Sequence, residues 1–425
     1  MTWTMLSEEL LMYLRKRLGE RMNILCLTNE YPNKNYPKKD SPWIVPFFAR
    51  EWVKQGNKVI VIVNSTKFPL ICYWGVNLIK PFLMKKYNIT ESNLSSRIWA
   101  KPFDLIDEGV RVYNRPMFKY IPSGNFSETR CKHQVKKITD ILDENGFVPD
   151  VITGHWLNPQ LRLISMLTEH YKCRSAFVFH SEVTKKYINK YNVRKYIKNI
   201  HRIGCRSKTN SEILKKNLGL PNDPFVCPSG IPDQYIEGRQ ATGKTIRDRE
   251  LQIICAGRLV NYKRIDAVIE SCAGFDKNEI GQLTIVGEGQ LREELEECAK
   301  KNGFSDRIVF TGRVERDTLI KKMYQSDIFA LISEREVFGL VYLEAMLQGC
   351  IVIAAKGGGI DGIIIDGVNG FLCEQGDPKE LSKIISKILR MTDAERKQIS
   401  EKASETAAQY SDSQTAKKYL SNIME

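Results

Sequence analysis

Residues 333–349 read SEREVFGLVYLEAMLQG, and this stretch says more about the fold than any other part of the chain. An apolar segment, residues 327–333, leads into it, Gly339 lies inside it and Gly349 closes it. The pattern predicts a buried strand, a tight glycine-containing turn and a helix that starts at the turn. The first backbone N–H groups of such a helix have no partner within the helix, so the turn is a ready site for an anion.

Two acidic residues, Glu336 and Glu344, lie eight positions apart around this turn. At a rise of 1.5 Å per residue they are roughly 9–12 Å apart along a helix. We expect the two carboxylates to bracket an elongated diphosphate ligand, each accepting hydrogen bonds from hydroxyl groups at one end. Two glutamates at this spacing are by themselves more typical of a solvated surface, so the prediction depends on the residues around them.

Strands and helices alternate regularly through the second half of the chain. Predicted strands are 251–256, 282–286, 307–311, 327–332 and 351–355, and predicted helices are 263–272, 290–302, 316–325 and 339–348. Such alternation is typical of a doubly wound parallel sheet. Two terminal helices, 377–390 and 393–421, are predicted to follow.

The first half opens with a βαβ unit, whose crossover connection requires a parallel sheet. Residues 22–28 and 58–63 are its predicted strands, and residues 46–55 its helix. Residues 64–125 follow no regular pattern, and we interpret them as an irregular insertion. Further strands are predicted at 151–153, 175–179, 202–205 and 225–227, and further helices at 130–145, 160–171 and 209–217.

Positive charge is concentrated in the first half. Residues 1–232 carry 37 Lys and Arg against 19 Asp and Glu, whereas the whole chain has a net charge of +14. The densest basic segment, residues 185–198, interleaves lysines with tyrosines on a predicted helix. This combination suits either the headgroup layer of an anionic bilayer or an ordinary solvated face. Confinement of the charge to one half argues against a nucleic-acid partner for the whole chain.

The chain has no uncharged apolar run of 18 residues, so no membrane-spanning helix is predicted. Its eleven cysteines include no C-x-x-C pair, which indicates reduced thiols in a cytoplasmic protein and no structural zinc. Residues 1–21 carry leucines on one helical stripe. They are either an amphipathic surface helix or an artefact of the chosen start codon.

Several segments of the second half together resemble glycosyltransferase family 4, the retaining group 1 glycosyltransferases. Residues 336–344 resemble its E-x7-E signature. Four further segments, 257–263, 285–292, 308–314 and 357–372, resemble its other motifs in order and spacing, although Asp361 stands where the family usually has Glu. The resemblance implies a GT-B fold, in which two doubly wound Rossmann-like domains face an interdomain cleft and the C-terminal helix crosses back to the first domain.

The linker residues and this resemblance together predict the domain boundaries. We predict an extension at 1–21, an acceptor-binding domain at 22–232, a linker at 233–250 and a nucleotide-sugar donor-binding domain at 251–405, with residues 406–425 packing back on the first domain.

The resemblance also implies roles for single residues in donor binding. Arg258 and Lys263 follow the first strand of the second domain and are the candidates for stabilising the diphosphate leaving group. Glu336 is expected to bind hydroxyls of the transferred sugar and Glu344 both ribose hydroxyls. The remaining donor-binding candidates supply backbone amides or line the base: Gly257, Arg313, Val314, Phe338, Gly339 and Leu340.

In the first half, two histidines end predicted strands. His180 lies where the family often has a histidine near the reacting sugar, and we predict a catalytic role for it, beside Glu336, Arg258 and Lys263. His155 and Trp43 are candidates for the acceptor side. The family usually has a glycine in the loop after the first strand, where the backbone nears the donor phosphate. Residues 40–44 have no glycine and include a proline, which lacks a donor N–H, so we expect this loop to serve the acceptor instead.

The predicted function is therefore sugar transfer from a nucleotide diphosphosugar, such as a UDP- or GDP-sugar, to a glycan or lipid-linked acceptor, with no metal and no cofactor. Bacterial surface-polysaccharide synthesis at the inner face of the plasma membrane is the setting that the resemblance implies, with the basic domain contacting the anionic surface. Two alternatives remain open. One is a nucleotide-sugar epimerase or sugar phosphorylase of the same fold, and the other is a non-catalytic adaptor that binds membranes or nucleic acid.

Overall fold

A computed structural model describes residues 21–32, 44–68, 101–120, 124–181, 183–238 and 250–425. By their internal contacts these residues form two compact units. The first unit comprises the described residues up to Cys205, together with Leu214–Phe225 and Ala416–Glu425. The second comprises Arg206–Ile213 and Val226–Thr415. The last ten residues of the chain therefore pack with the unit that begins it.

A mostly parallel sheet forms the centre of the first unit. Its strands are β1 (Asn23–Thr28), β2 (Lys58–Val63), β4 (Phe103–Asp107), β5 (Val110–Asn114), β7 (Val151–His155), β8 (Arg174–Val178), β9 (Arg202–Cys205) and β10 (Phe225–Val226), and β3 (Thr66–Lys67) pairs separately with β6 (Met117–Phe118). The eight strands lie in the order β10-β9-β8-β7-β1-β2-β5-β4. Val, Ile and Leu fill β1 and β2, and their side chains are almost all buried, as expected for strands covered on both faces.

The helices of the first unit connect these strands. They are α1 (Ile44–Lys54), α2 (Glu128–Glu144), α3 (Leu157–Tyr171), α4 (Lys185–Lys190), α5 (Val193–Tyr196) and the part of α6 (Lys208–Leu218) that follows Ile213. A large cluster of buried apolar side chains joins α2 and α3 to the sheet. The C-terminal helix α14 (Asp412–Met424) also contributes to this unit from Ala416 onwards. The Trp52 indole N–H donates to the Ala416 carbonyl at 3.0 Å.

Residues 64–125 are more regular than the sequence predicts. Within them β4 and β5 form an antiparallel hairpin, and β5 extends the sheet beside β2 in parallel. The turn between them uses Glu108 and Gly109 at positive φ, 49° and 86°, the backbone that a two-residue hairpin requires. Asp107 fixes the hairpin to α1 by accepting two hydrogen bonds from Arg50, at 3.0 and 3.1 Å. The expectation of an irregular insertion is therefore wrong for residues 103–114.

The second unit contains a six-stranded parallel sheet in the order β13-β12-β11-β14-β15-β16. Its strands are β11 (Leu251–Ala256), β12 (Ile280–Val286), β13 (Ile308–Gly312), β14 (Ile328–Leu331), β15 (Ile351–Ala355) and β16 (Phe371–Cys373). Its helices are α7 (Asp233–Glu237), α8 (Ile265–Ala273), α9 (Arg292–Lys301), α10 (Arg316–Gln325), α11 (Leu340–Leu347), α12 (Pro378–Arg390) and α13 (Asp393–Ala408). The predicted doubly wound alternation of this half is confirmed.

Local signals in the sequence explain where several of these helices start. The Asp377 side chain accepts hydrogen bonds from the amides of Lys379 and Glu380, and Pro378 occupies the first helical position of α12. Thr392 and Glu395 form a reciprocal capping box at the start of α13.

Three predicted helices differ from those observed. The single terminal helix expected at 393–421 is two helices, α13 and α14, because the chain at Ser411 pairs with Ile231 between them. The basic helix expected over 185–198 breaks into α4 and α5 at Asn192, whose φ of 49° is left-handed. The helix expected from residue 263 begins at Ile265, after a short 3-10 turn at Asn261–Lys263.

Each sheet has one point at which the strand order reverses direction. In the second unit it lies between β11 and β14, and in the first between β1 and β7. Ligands of doubly wound sheets bind outside the carboxyl ends of the strands at such a point. No helix among the described residues is both long enough and apolar enough to cross a bilayer.

Candidate active site

The candidate donor residues of the second unit lie at the carboxyl ends of β11 and β14, on the two sides of its reversal point. Gly257 and Arg258 directly follow β11, and Lys263 ends the 3-10 turn a few residues later. Glu336 and Gly339 lie in the loop between β14 and α11. The backbone joins the two loops, because the Glu334 amide donates to the Tyr262 carbonyl at 2.9 Å. The fold therefore brings together two motifs that are more than 70 residues apart in sequence.

The loop after β12 supports the Gly257–Leu259 segment through direct backbone packing. A Cβ added to Gly287 would lie 1.9 Å from the Gly257 carbonyl oxygen, and one added to Gly289 would lie 2.2 Å from that of Leu259. The Leu259 amide also donates to the Glu288 carbonyl at 3.0 Å. Because Gly287 and Gly289 have no side chain, their backbone can pack directly against the segment that carries Arg258.

Lys263 and Glu336 form an ion pair in which the ammonium donates to the carboxylate. Both side chains are mostly buried, with exposed fractions of 12% and 15%. Lys263 is predicted to bind the diphosphate and Glu336 the sugar. Their contact shows that the two predicted ligand-binding groups lie side by side. Arg258 lies on the exposed side and donates to the Tyr262 hydroxyl at 2.6 Å.

Gly339 provides the turn into α11. Its φ is 76°, and an added Cβ would lie 2.4 Å from Cε2 of Tyr342 and 3.0 Å from Cγ of Glu336. Gly339 is the N-cap residue and has no side chain, so no side-chain group caps the first amides of α11. Tyr342 anchors the turn from below by donating to the Leu331 carbonyl at 2.8 Å. Burial and the nearby Glu336 carboxylate raise the pKa of Tyr342 well above its ordinary value, so it remains a donor.

Phe338 is buried and is held from two sides. The Arg206 guanidinium lies 5.4 Å from the centre of its ring, and the glycine-rich loop after β15 packs on its backbone. A Cβ added to Gly359 would lie 2.3 Å from the Phe338 nitrogen. In the same loop Asp361, the residue that departs from the family pattern, accepts a hydrogen bond from the Gly357 amide at 2.6 Å and so closes the loop.

Glu344 is the fifth residue of α11 and is almost completely buried. One of its carboxylate oxygens lies 2.5 Å from Nη2 of Arg316, the first residue of α10. The Arg316 guanidinium also lies over the ring of Tyr235, 5.4 Å from its centre. The sequence gives no signal for Arg316 or Tyr235. An arginine at the first position of a helix looks like any solvated charge, and only the fold shows that it meets Glu344.

Arg313 and Val314, the predicted base-side residues, directly follow β13. Gly312 ends that strand at a φ of 70°, and its carbonyl accepts from the Gly287 amide at 2.9 Å. Arg313 is exposed and Val314 is half-buried. They therefore lie at the same carboxyl edge as the other candidates, two strands away from β11.

In the first unit His155 and His180 contact each other. His155 is the last residue of β7, at the reversal point, and His180 lies two residues beyond β8. The distance from His155 Nδ1 to His180 Nε2 is 2.8 Å. His155 is fully buried and His180 is half-buried, so of the two His180 is the one that a ligand can reach.

Tyr419 of α14 completes this cluster, and the sequence gives no direct signal for it. Its hydroxyl oxygen lies 3.3 Å from His155 Nε2 and 2.5 Å from Thr153 Oγ1. An apolar stripe on α14 marks Tyr419 as buried but cannot reveal a partner more than 260 residues away. Trp156 stacks on His180 with ring centres 4.6 Å apart, and its own backbone is strained at a φ of 62°.

A buried amide network, also unpredicted, holds the edge of the first sheet beside these histidines. Gln160 accepts a hydrogen bond from Asn64 at 2.7 Å and donates to Asn29, and Gln134 donates to the other end of Asn64 at 2.7 Å. These side chains connect the loops after β1 and β2 to α2 and α3. Trp43 and the loop before it, as well as the extension at 1–20, lie outside the described residues.

Comparisons with known proteins find similarity to glycosyltransferases. Residues 239–406 match the family model described as glycosyl transferases group 1. The chain is 28% identical to an uncharacterized glycosyltransferase of Methanocaldococcus jannaschii over 64% of this chain and 71% of that protein. It is 24% identical to an alpha-monoglucosyldiacylglycerol synthase of Streptococcus pneumoniae over 64% of each chain. A crystal structure of the Anabaena protein HepE in complex with UDP superimposes with a TM-score of 0.65 at 18% identity, covering 94% of this chain and 98% of that one.

Proposed function

We propose that this chain, in which residues 239–406 match the group 1 glycosyltransferases, transfers a sugar from a nucleotide diphosphosugar, with retention, to a glycan or lipid-linked acceptor. Surface-polysaccharide synthesis is the proposed setting. The donor is proposed to bind at the carboxyl ends of β11 and β14, with no metal ion required.

The observation that carries the proposal is the meeting of Lys263, Arg258 and the Gly339 turn at the reversal point of the second sheet. A diphosphate leaving group gains negative charge as the glycosidic bond breaks, and fixed cations and backbone amides stabilise that charge. Arg258 offers a forked guanidinium and Lys263 a compact ammonium. The amides at the start of α11 add the partial positive charge of a helix N-terminus. The UDP in the Anabaena structure supports a nucleotide as the ligand.

The ion pair between Lys263 and Glu336 determines how the two side chains would contact the donor. The ammonium pairs with the carboxylate in a mostly buried position. An arriving diphosphate offers Lys263 a second anionic partner, so that Lys263 bridges the phosphate and Glu336. The Glu336 oxygens then accept hydrogen bonds from hydroxyls of the sugar next to that phosphate. In this arrangement Glu336 positions the sugar and Lys263 stabilises the departing charge.

Glu344 is proposed to accept the ribose hydroxyls, in the role that the family resemblance implies. Nη2 of Arg316 lies 2.5 Å from it and places a positive charge beside this nearly buried carboxylate. The guanidinium would then flank the ribose rather than the phosphates. Arg313 and Val314, at the end of the outermost strand β13, are proposed to line the base.

The first experiment is titration calorimetry of the purified chain with a panel of UDP-, GDP- and other nucleotide sugars. We expect saturable binding of at least one member, and loss of that binding in Arg258→Ala. Arg390→Ala is the matched control, because Arg390 is an exposed arginine at the end of α12, away from the reversal point. Equal affinity in wild type and Arg258→Ala would contradict the assignment of the site.

Turnover assays then separate the alternatives. The donor is incubated with and without candidate glycan and glycolipid acceptors, and the anomeric configuration of the product is read by proton NMR. We expect transfer with retention, and unchanged turnover after treatment with a chelator. Conversion of the donor in the absence of acceptor would instead support an epimerase, and dependence on inorganic phosphate would support a phosphorylase.

Contact with an anionic membrane is proposed for the first unit. Around α4 and α5 the side chains of Lys185, Lys186 and Lys190 are exposed, whereas Ile188 and Tyr196 are buried. Tyr196 therefore packs in the core rather than facing the lipid, and the proposal rests on the exposed lysines. Burial and the neighbouring Lys190 ammonium lower the pKa of Lys119, as expected where positive charges gather. The name of the Streptococcus relative includes a diacylglycerol lipid, which agrees with a membrane acceptor.

Vesicle flotation tests this contact. Vesicles with an anionic lipid should bind the chain and zwitterionic vesicles should not, with binding weakened by added salt. Lys185→Glu with Lys186→Glu should reduce binding. Lys300→Glu with Lys301→Glu, an exposed adjacent pair on α9 of the second unit, should leave it unchanged. The proposal is wrong if both pairs behave like wild type.

A further inference from the structure

Three basic residues of the first unit contact the segment Asn125-Phe126, which precedes α2. The ammonium of Lys119 lies 5.4 Å from the centre of the Phe126 ring. Arg162 of α3 donates through Nη1 to the Phe126 carbonyl at 2.9 Å. The Asn125 side-chain amide donates to the carbonyl of Lys190, the last residue of α4, at 2.6 Å. One short segment therefore brings together basic residues from three separate parts of the chain.

These three basic residues form no ion pair with a carboxylate in the part of the chain that the structure describes. Burial and, after it, repulsion by the Lys190 ammonium lower the pKa of Lys119, and no described carboxylate acts to raise it. Lys119 and Arg162 are half-buried, whereas a lysine of an ordinary solvated face, such as Lys185, is exposed. Positive charge that is gathered and partly buried without a counter-ion is typical of a site whose ligand supplies the negative charge.

A small cleft opens beside these residues at the start of α3, and its lining includes Asn125, Arg162, Tyr191 and Tyr196. The Arg162 guanidinium lies over the ring of Tyr196, 4.8 Å from its centre. This ring and the carbonyl bond made by Nη1 fix the orientation of the guanidinium, while its Nε and Nη2 atoms have no partner among the described residues. The Lys190 ammonium lies 5.3 Å from the centre of the Tyr191 ring. A fixed guanidinium and a flexible ammonium therefore lie at one cleft.

The donors around this cleft suit a phosphoryl group. A guanidinium offers two parallel N–H groups to a pair of phosphate oxygens, and an ammonium adds charge without a fixed direction. A phosphate monoester carries a charge of about −1.5 to −2 at pH 7, which matches three neighbouring cations. A carboxylate carries a single charge and would leave much of the repulsion between the two lysines in place.

We propose that Arg162, Lys119 and Lys190 form a binding site for a phosphate monoester or diphosphate group, and that this group belongs to the acceptor. The assignment to the acceptor rests on the proposed function, whereas the binding of a phosphoryl group does not. The group is either the headgroup of a lipid or part of a soluble sugar phosphate, because both present the same oxygens. The site is separate from the donor site, which is assigned to the second unit.

Titration calorimetry of the full chain with inorganic pyrophosphate tests the binding. The test variant carries Lys119→Met and Lys190→Gln, which removes both ammonium groups but keeps an apolar stem over Phe126. The matched control carries Lys137→Met and Lys216→Gln, two exposed lysines of the same unit, so that its net charge changes equally.

We expect the test variant to bind one equivalent of pyrophosphate fewer than the control. Loss of its charged contacts should weaken binding at this site about 10- to 100-fold, while the donor residues of the second unit are unchanged in both variants. Arg162→Lys keeps the charge but lacks the fork, and should weaken binding at this site about tenfold. Equal binding by the test and control variants, or wild-type affinity in Arg162→Lys, would overturn the inference.

Thermal melts separate a binding role from a structural one. Removal of the Lys119 charge relieves its repulsion with Lys190, so Lys119→Met should melt at the wild-type temperature or above it. A lower melting temperature would show that the ammonium stabilises the fold, and would count against the inference.

Two further probes identify the source of the phosphoryl group. Glucose 6-phosphate represents a soluble acceptor, and phosphatidylcholine vesicles that contain phosphatidic acid represent a lipid headgroup. Vesicles with phosphatidylserine in place of phosphatidic acid control for surface charge alone. Weaker binding of only one probe by the test variant supports the site and identifies its source. Binding of both probes as tightly as by the control variant would overturn it.

Kinetics test the assignment to the acceptor. With an acceptor found by turnover, the test variant should have an acceptor KM about tenfold higher or more and an unchanged donor KM. A higher donor KM with an unchanged acceptor KM would overturn the assignment. If wild type turns over no nucleotide sugar, the proposed function fails, whereas the pyrophosphate titration still decides whether the site exists.

Discussion

The two units are built on the same kind of sheet but assemble their candidate sites differently. In the second unit the residues are carried by short motifs, 257–263 and 336–344, that directly follow two adjacent strands. In the first unit the cluster joins Thr153 and His155 from one strand, His180 from the next and Tyr419 from the C-terminal helix. A phosphate can be bound by backbone amides and a few nearby cations, so a short segment suffices. Fixing an imidazole requires partners from several directions.

The largest expected effect is on catalysis by the second unit. Lys263→Ala should lower kcat about 100- to 1,000-fold, because it removes a fixed charge opposite the leaving group and strands the Glu336 carboxylate in a mostly buried place. Steady-state kinetics with the donor identified by calorimetry measure it. Lys277→Ala is the matched control, since that exposed lysine lies before β12, at the opposite edge of the sheet. A loss of less than tenfold would remove Lys263 from the catalytic machinery.

The next effect separates backbone strain from ligand contact. Gly339→Ala should lower the free energy of unfolding by about 1–3 kcal/mol, because it forces a left-handed alanine against Tyr342, and should abolish measurable donor binding. Gly303→Ala is the control, because Gly303 has a φ of 66° and an added Cβ would meet no other atom. It should introduce the same backbone strain but leave donor affinity unchanged. Thermal melts and calorimetry on both variants provide the comparison. Normal donor affinity in folded Gly339→Ala would show that the turn does not contact the phosphate.

A smaller effect is expected at the ribose end. Arg316→Met keeps the apolar stem over Tyr235 but removes the charge beside Glu344. The donor KM should rise about tenfold with kcat little changed, the pattern of a lost interaction that ground state and transition state share. Lys321→Met on the same helix is the control, because its side chain is exposed. A lower KM in Arg316→Met would mean that the arginine obstructs the ribose site.

The smallest effect belongs to the first unit. Gly109→Ala places a left-handed alanine in the β4–β5 turn, where its Cβ would lie 2.8 Å from a terminal methyl of Val53 that can move aside. We expect a loss of about 1–2 kcal/mol in the free energy of unfolding, from backbone strain alone. Donor affinity should be unchanged, because the donor is assigned to the second unit. Denaturant titration and calorimetry on one sample measure both quantities, and weaker donor binding would contradict the division of roles.

The sequence predicted the second unit well because its signals are local. A buried apolar strand, a glycine at the turn and a capped helix are each written within a few residues, as Asp377-Pro378 and Thr392 with Glu395 illustrate. The residues of its candidate site were likewise named in advance, although their roles stay predictions. Arg316 was missed because nothing near it in sequence distinguishes it from a solvated charge.

The first unit was harder to predict because its signals are distant. The hairpin at 103–114 was overlooked although Glu108-Gly109 is a turn signal, since charged residues dilute the alternating pattern of β4. His155 and His180 were named, but their contact depends on the parallel pairing of β7 with β8. Tyr419 could not be assigned from the sequence at all, because its partners lie more than 260 residues away.

The backbone contact between the loop after β12 and the Gly257–Leu259 segment has a consequence for engineering. Any side chain at Gly287 or Gly289 would collide with a carbonyl oxygen, 1.9 or 2.2 Å from the new carbon, and push the arginine-bearing segment out of register. Directed-evolution libraries intended to alter donor choice should therefore keep both glycines constant. Diversity is better placed at Arg313, whose side chain is exposed directly after β13.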